Sequence, residues 1–237
     1  MNDEVSIRVN FARPMAVFPL DSVVLLPQQV MPLHIFEPRY RQMIERALDG
    51  VGQIAMGTFA GEEWKQEYQG APPIKPALCV GQIVQHEKLP DGRYNVLLQG
   101  VCRARLVEES EPDDERLFRE ALLEPVGVEH DQADEDVADE LRSWIEASLQ
   151  SGPLSRFVMA EQVKAYVEND DVPTPALLEL VAFAMINDPA VRYRLLEEGK
   201  LDRRCELIRA AFNDLSELIE RADEQDPDSW PKGMSWN

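Results

Sequence analysis

The segment CVGQIVQHEKLPDGRYNVLL, residues 79–98, decides the fold of the first half of the chain. Its two ends, residues 79–85 and 93–98, are strand-like, and Leu89-Pro90-Asp91-Gly92 lies between them. Proline fits the first corner of a turn, and the Asp-Gly pair tolerates a positive φ. The segment therefore predicts an antiparallel β-hairpin.

Short apolar runs punctuated by prolines surround this hairpin. They predict further strands at residues 15–20, 53–59, 101–107 and 120–128, with a sharp bend at Gly100 before the third of these. Residues 39–48 place apolar side chains at helical spacing and end at Asp49-Gly50, which predicts one helix. Many short strands with one helix indicate a small, mostly antiparallel barrel or sandwich.

Beyond about residue 130 the apolar residues recur at helical spacing instead. The helices predicted there are residues 134–149, 154–167, 173–186, 189–196 and 200–219. The expected fold is therefore α+β, a β domain at residues 1–128 followed by a helical bundle at residues 129–222. Residues 223–237 are polar and are expected to form a tail.

The formal net charge is −20, of which residues 1–120 carry −5 and residues 121–237 carry −15. A surface this acidic argues against nucleic acid and anionic membrane as partners. The three cysteines are widely spaced without a CxxC pair, which is typical of a reducing compartment. The amino terminus carries acids and no long apolar run, so we expect no signal peptide and a cytoplasmic protein.

Residues that could carry catalysis or hold a cofactor are few. The three histidines lie in different segments, and neither HExxH nor GxxxxGK[ST] occurs. Cys79 and Cys102 lie in apolar strand patterns, which favours buried thiols over nucleophiles. Arg103 and Arg105 are expected on the outer face of a strand, paired with neighbouring glutamates. We therefore predict no catalytic residue, no cofactor and no metal site.

Residues 30–36, VMPLHIF, hold more apolar side chains than a half-buried strand can hide by alternation. The favoured interpretation is that both faces of this strand pack in the core. If they do not, methionine and aromatic side chains there would form an adaptable surface for peptides or partly unfolded chains.

Several pieces of the sequence, in order and spacing, resemble the amino-terminal domain of the ATP-dependent Lon protease. They are VFPL at 17–20, Pro27, PLHIFEPRY at 32–40, VGQI at 80–83, KLPDGRY at 88–94 and LQGVCRAR at 98–105. The resemblance covers residues 15–128, and residues 177–186 and 201–215 look like the helical extension that follows that domain. It implies a PUA-like β-barrel followed by helices and a role in binding substrate proteins.

The resemblance does not imply ATP hydrolysis or peptide cleavage, because we expect neither an ATPase module nor a serine-lysine dyad in this chain. The leading hypothesis is a non-catalytic recognition module for unfolded or client proteins, with a protease or chaperone as a further candidate partner. The residues predicted to contact such proteins are Met31, Leu33, Phe36, Tyr40, Trp64 and Tyr68. For Phe36 and Tyr40 the alternative is packing in the core, the strand residue against the first turn of the following helix. Two alternatives stay open, a hydrolase of ATP-dependent proteolysis and an RNA-binding PUA-like barrel, and the acidic charge disfavours the second.

Overall fold

A computed structural model describes residues 7–61, 63–65, 72–127 and 131–224 of the chain. The strands are β1 (Met15–Leu20), β2 (Val30–Ile35), β3 (Gln53–Thr58), β4 (Ala77–Lys88), β5 (Tyr94–Ser110) and β6 (Glu120–Val126). The helices are α1 (Pro38–Leu48), α2 (Gln132–Ser151), α3 (Ala160–Val167), α4 (Thr174–Met185), α5 (Pro189–Glu197) and α6 (Leu201–Glu224). The mixed α+β class predicted from the sequence is confirmed.

The six strands form one sheet in the order β2-β5-β4-β3-β1-β6. Every pairing is antiparallel except that of β1 with β3, in which Val17 lies opposite Ala55. β6 pairs both with β1 and with the second half of β5, so the sheet curls back on itself. β2 pairs only with the first half of β5 among the described strands, and it leaves the sheet short of a regular barrel.

The hairpin of residues 79–98 is confirmed and is longer than predicted, because it joins β4 to β5. Gly92 has a φ of +81° in its turn, a conformation that favours glycine. β5 does not end at Gly100, but its pairing with β4 shifts register there: Gly100 lies opposite Gly81, Cys102 lies opposite Val80, and the irregularity predicted at this glycine is a β-bulge within one strand. Gly100 is required because a Cβ there would overlap the carbonyl oxygen of Leu26 in the loop before β2.

Apolar side chains cover both faces of the sheet. Alternate residues such as Val17, Ala55 and Val80 pack inside the curl, while Phe18 and Met56 pack with the helices on the other side. All six positions of β3 are buried, because both of its faces are covered. The sheet therefore has apolar packing on two sides, while the edge strand β2 and parts of β4, β5 and β6 reach solvent.

The helical half begins at Asp131, whose side chain accepts a hydrogen bond from Asp134 N–H in a capping box. The helix predicted at residues 154–167 is divided, since a short turn at Pro153–Arg156 and an extended Phe157 precede α3. No described helix is both long and apolar enough to cross a membrane.

Helix α5 packs against β4 and β5 and joins the two halves. The hydroxyl oxygen of Tyr193 in α5 accepts a hydrogen bond from Ala77 N–H in β4, at 3.0 Å. Arg103 Nε in β5 donates to the carbonyl oxygen of Leu195, also at 3.0 Å. Buried residues of the sheet and of the helices belong to one apolar cluster, so the halves share a core.

Candidate functional site

Strand β2 exposes one of its faces. Val30, Pro32 and His34 are exposed, whereas Met31 and Leu33 are half-buried against the core and Ile35 is buried. Phe36 follows the strand and is 60% exposed. The ring of Phe36 stacks on that of His34 with 6.3 Å between the ring centroids, so it continues the same face. We call Val30, Pro32, His34 and Phe36 the outer face of β2.

This exposure corrects the expectation that both faces of residues 30–36 are packed. The side chains of a strand alternate between its two faces, and only one face of β2 lies against the core. Pro32 has no N–H group to donate to a neighbouring strand, and proline is found in sheets at edge positions. The sequence VMPLHIF is therefore compatible with an edge strand that has apolar groups on both faces.

Polar groups from β5 and its turn hold the outer face in place. His34 Nδ1 lies 2.8 Å from Asn95 Oδ1, and Arg93 Nη1 lies 3.3 Å from His34 Nε2. Arg93 is itself paired with Asp91 in the hairpin turn. A groove of about 360 Å³ lies beside these groups, with Pro32 from β2, Gln85 from β4 and Leu97 from β5 among its lining residues. The outer face thus has an apolar surface with a fixed polar border.

A second candidate surface is a pocket of about 630 Å³ between the sheet and the start of α5. We call it the Trp64 pocket, because Trp64 lines it and stacks on Phe59 at 5.0 Å between centroids. Lys75 borders the pocket and lies over the ring of Tyr193. Asp188, at its other side, caps α5 by accepting from Ala190 N–H. This pocket combines an aromatic wall with charges of both signs.

The residues predicted to contact protein partners do not form one surface. Met31 and Leu33 share the inner side of β2, and Phe36 lies at the end of the outer face. Tyr40 is 5% exposed and packs edge-on against Phe18, with 4.6 Å between ring centroids, so it offers no surface to a partner. The Trp64 pocket and the groove beside β2 share no lining residue. Tyr68 lies outside the described residues.

Three charged residues at the junction of the halves were not recognised from the sequence as a group. Arg103 was expected on an outer strand face, and this is wrong: it is buried and its Nη2 lies 2.8 Å from Glu179 Oε2 in α4. Arg204 in α6 is also buried, with Nε 3.4 Å from Glu179 Oε1. A sequence signal existed, because Glu179 is the one charged residue in the apolar helix TPALLELVAFAM.

The described residues offer little for catalysis. None of them form a group of three or more His, Cys, Asp or Glu side chains able to hold a metal ion. Burial raises the pKa of Cys102 and that of Cys205 to about 11, and it raises the pKa of Cys79 further. These thiols are therefore protonated at neutral pH and are poor nucleophiles.

Comparison with protein families finds a match across most of the chain. Residues 14–213 match the family model described as the ATP-dependent protease La (LON) substrate-binding domain. The match includes β1 to β6 and most of the helical half, so sheet and helices are both part of the family's pattern.

Among individual proteins, the chain is similar to Lon proteases. It is 31% identical over 188 residues to that of Desulfovibrio desulfuricans, which covers 79% of this chain and 21% of the relative. It is 26% identical to that of Escherichia coli K12, with coverage of 93% of this chain and 26% of the relative. The chain thus spans about a quarter of the length of these relatives.

Two solved structures have the same fold. One is the N-terminal domain of a Mycobacterium avium complex Lon protease, with a TM-score of 0.65 and 17% identity over 85% of this chain and 99% of that one. The other is a Lon N-terminal domain protein from Xanthomonas campestris, with a TM-score of 0.52 and 21% identity over 84% of this chain and 98% of that one. At these identities the likeness concerns the fold.

Proposed function

Since the chain belongs to the ATP-dependent protease La (LON) substrate-binding domain family, we propose that it recognises protein substrates through apolar segments exposed in unfolded or client proteins. The observation that carries this proposal is the outer face of β2, where Val30 is 48% exposed on an edge strand and Phe36, directly after that strand, is 60% exposed. Large exposed apolar groups that lie together mark interaction sites more often than single ones do.

The binding mode we propose is the addition of an extended substrate segment along β2. An edge strand has unpaired backbone groups that can hydrogen-bond to an incoming strand, and alternate side chains of that strand then meet the outer face. Burying a large apolar side chain contributes about 1.5–3 kcal/mol. Phe36 and Val30 would supply most of this contribution, and the Trp64 pocket would receive an aromatic or apolar side chain of a second segment.

The weak charge of the first half suits this role. Residues 1–120 carry −5 of the total charge of −20, so an acidic substrate segment meets less repulsion at the sheet than at the helices. We propose further that the sheet is PUA-like, that residues 1–128 and 129–222 are the two structural parts, and that a separate protease or chaperone receives the bound client. The cytoplasmic location stays a prediction from the sequence.

The proposal is tested by measuring the affinity of the purified chain for a permanently unfolded protein, reduced and carboxymethylated α-lactalbumin. We expect Phe36→Ser to weaken binding about tenfold, which corresponds to the loss of about 1.4 kcal/mol of apolar burial. The matched control is Val158→Ser, because Val158 is 93% exposed and lies in the helical half. Equal affinity of Phe36→Ser and the control would contradict the role of the outer face, and no binding by the unsubstituted chain would contradict the proposal as a whole.

The family match concerns a substrate-binding domain and not the ATPase or protease domains of Lon. We therefore propose that this part of the protein recognises substrates without cutting them. Incubation of the chain with casein, with and without ATP, tests the enzymatic alternative. Cleavage that follows the purified chain through successive columns would overturn this part of the proposal.

A further inference from the structure

A third cavity, of about 340 Å³, lies where β5, the end of β6, α4 and α6 meet, and we call it the α4 pocket. Part of its wall is apolar: Pro27, Val101, Val126, Pro173, Pro175 and Ala176. The rest includes three charged side chains, Arg103, Glu179 and Arg204. It shares no lining residue with the outer face of β2 or with the Trp64 pocket. Its volume is near the lower end of the range for small-ligand sites.

The charged wall of the α4 pocket has an excess of positive charge. Glu179 lies between two guanidinium groups, with Arg103 Nη2 at 2.8 Å and Arg204 Nε at 3.4 Å from its two oxygens. One carboxylate therefore faces two buried cations, which leaves one positive charge uncompensated within the cluster. Glu198 is the next carboxylate near Arg204, but it is only partly buried and accepts from the backbone N–H of Lys200.

Arg204 lacks one hydrogen bond that its burial would normally require. The residue is 3% exposed, and its Nη1 donates to the carbonyl oxygens of Glu198 and Gly199. Its Nε–H donates to no acceptor among the described residues, since the approach to Glu179 does not have hydrogen-bond geometry. Burial, followed by repulsion from Arg103, lowers the pKa of Arg204 to about 10. This Nε–H is covered and faces Glu179, so a ligand would meet the positive charge of the Arg204 guanidinium and not this N–H group.

The amino terminus of α4 adds to the positive charge in the α4 pocket. Pro173, Pro175 and Ala176 line the pocket, so the first turn of this twelve-residue helix borders it. No side chain caps this end, and its first turn contains no acidic residue. The Thr174 hydroxyl donates instead to Asp139 of α2. A helix amino terminus carries about half a positive charge. Pro173 and Pro175 have no N–H group, so at the start of α4 only Thr174 and Ala176 can offer backbone donors, and the Asp139 carboxylate beside Thr174 offsets part of the charge.

We propose that the α4 pocket binds a carboxylate group carried on a short apolar segment, as at the carboxyl terminus of a peptide that ends in an aliphatic residue. The carboxylate would lie between Arg204 and the start of α4, and the aliphatic side chain would pack against the proline-rich wall. The chemistry of both walls fits such a ligand: cationic donors on one side and apolar groups on the other. This site is separate from the outer face of β2, so it does not depend on the proposed function.

The experiment measures fluorescence anisotropy of three amino-terminally labelled tripeptides with the full chain. They are Ala-Val-Leu with a free carboxyl terminus, the same peptide as an amide, and Ala-Glu-Leu as an amide. We expect the free acid to bind at least about tenfold more tightly than its amide, because a charge-assisted hydrogen bond is lost in the amide. If the glutamate peptide binds as tightly as the free acid, a carboxylate site is supported, and a side chain can supply the carboxylate as well as the carboxyl terminus. Equal affinity of Ala-Val-Leu acid and amide, or no binding of either carboxylate peptide, would overturn the proposal.

Two variants locate the site. Arg204→Met removes the excess charge and leaves the Arg103–Glu179 pair neutral, and Ala176→Phe places a ring in the pocket from the first turn of α4. Both are expected to weaken binding of the free acid at least about tenfold. Arg203→Met is the matched control, because Arg203 is the neighbouring residue, exposed and paired with Glu206. Thermal melts establish which variants are folded. If a folded Ala176→Phe variant binds the free acid with full affinity, the proposal is overturned. If that variant still binds carboxymethylated α-lactalbumin as the unsubstituted chain does, the outer face of β2 acts separately from the α4 pocket.

Discussion

The outer face of β2 and the junction between sheet and helices differ in which side chains they expose and which they bury. The outer face exposes Val30 and Phe36 to solvent, whereas the junction buries Arg103, Glu179 and Arg204. It is ordinary for single apolar side chains to lie on a protein surface and for charged side chains to lie in solvent. It is unusual, and therefore informative, for several apolar side chains to be exposed together or for a charge to be buried. The outer face of β2 therefore contributes little buried surface to the fold, whereas the buried charges of the junction link the sheet to the helices.

Substitution of Glu179 should produce the largest effect in this comparison. Glu179→Gln leaves Arg103 and Arg204 buried without their carboxylate, so we expect the free energy of unfolding to fall by about 3–5 kcal/mol. Urea unfolding followed by circular dichroism measures it. Glu161→Gln in α3 is the control, since Glu161 is exposed. A loss no larger than that of the control would mean that the junction tolerates unpaired charge and that the two regions do not differ as described.

The hydrogen bond between the halves should have an intermediate effect. Tyr193→Phe keeps the ring in place but removes the acceptor of Ala77 N–H, a buried group. An unsatisfied buried donor costs about 1–3 kcal/mol, and the amide proton of Ala77 should exchange with solvent faster. Hydrogen exchange followed by mass spectrometry of peptides that span β4 checks both expectations. Unchanged exchange there would indicate that α5 is not held to the sheet by this bond.

The outer face should respond in the opposite way. Phe36→Ser is expected to change the free energy of unfolding by no more than about 0.5 kcal/mol, because the side chain is 60% exposed. Phe18→Ala provides the contrast, since Phe18 packs on Tyr40 in the core and should cost about 3–5 kcal/mol. Thermal and urea unfolding of both variants give the comparison. A large loss on substituting Phe36 would place that ring in the core in solution and remove it from the binding surface.

The smallest effect is expected from an exposed ion pair next to the hairpin. Hydrogen bonds from Lys88, at 2.8 Å, and from Tyr94, at 3.0 Å, lower the pKa of Glu45 in the folded state. A carboxyl group with a lowered folded pKa stabilises the fold above its unfolded pKa of about 4.3, and this contribution is lost as the pH falls through the lower folded value. Glu45→Gln should therefore lose less stability than the unsubstituted chain between pH 7 and pH 3. Equal losses in urea midpoint would contradict this assignment.

Local sequence signals predicted the elements well. The turn at residues 89–92 places the hairpin because its proline and Asp-Gly pair fit the corners. The helix predicted at residues 39–48 is Pro38–Leu48, so it begins one residue earlier, at the proline, and ends as expected. At Gly100 the sequence did not reveal the close approach of a second backbone, because the partner backbone at Leu26 is distant in sequence. Arg103 was misplaced for a similar reason. Its strand face is covered by α4 and α5, which come more than 70 residues later.

The candidate site was predicted only in part. The sequence singled out residues 30–36 as carrying too many apolar groups, and Phe36 is indeed exposed, but alternation alone could not tell which side of β2 faces the core. For Tyr40 the sequence left contact with a partner and packing in the core as alternatives, and its position in the first turns of α1 places it in the core against Phe18. Which face of a strand is covered depends on elements from other parts of the chain, which local periodicity does not describe.

Three features follow from the sequence alone. They are the order of a strand-rich first half and a helical second half, the hairpin within the first half, and the concentration of negative charge in the second. These follow from short-range physics: turn chemistry, the two-residue and 3.6-residue periods, and composition. Only the tertiary structure decided that β2 is an edge strand with an exposed face, and that three charged residues 25 to 101 positions apart meet in the interior. Burial and charge pairing are properties of the space between elements, so they are fixed only when distant segments pack together.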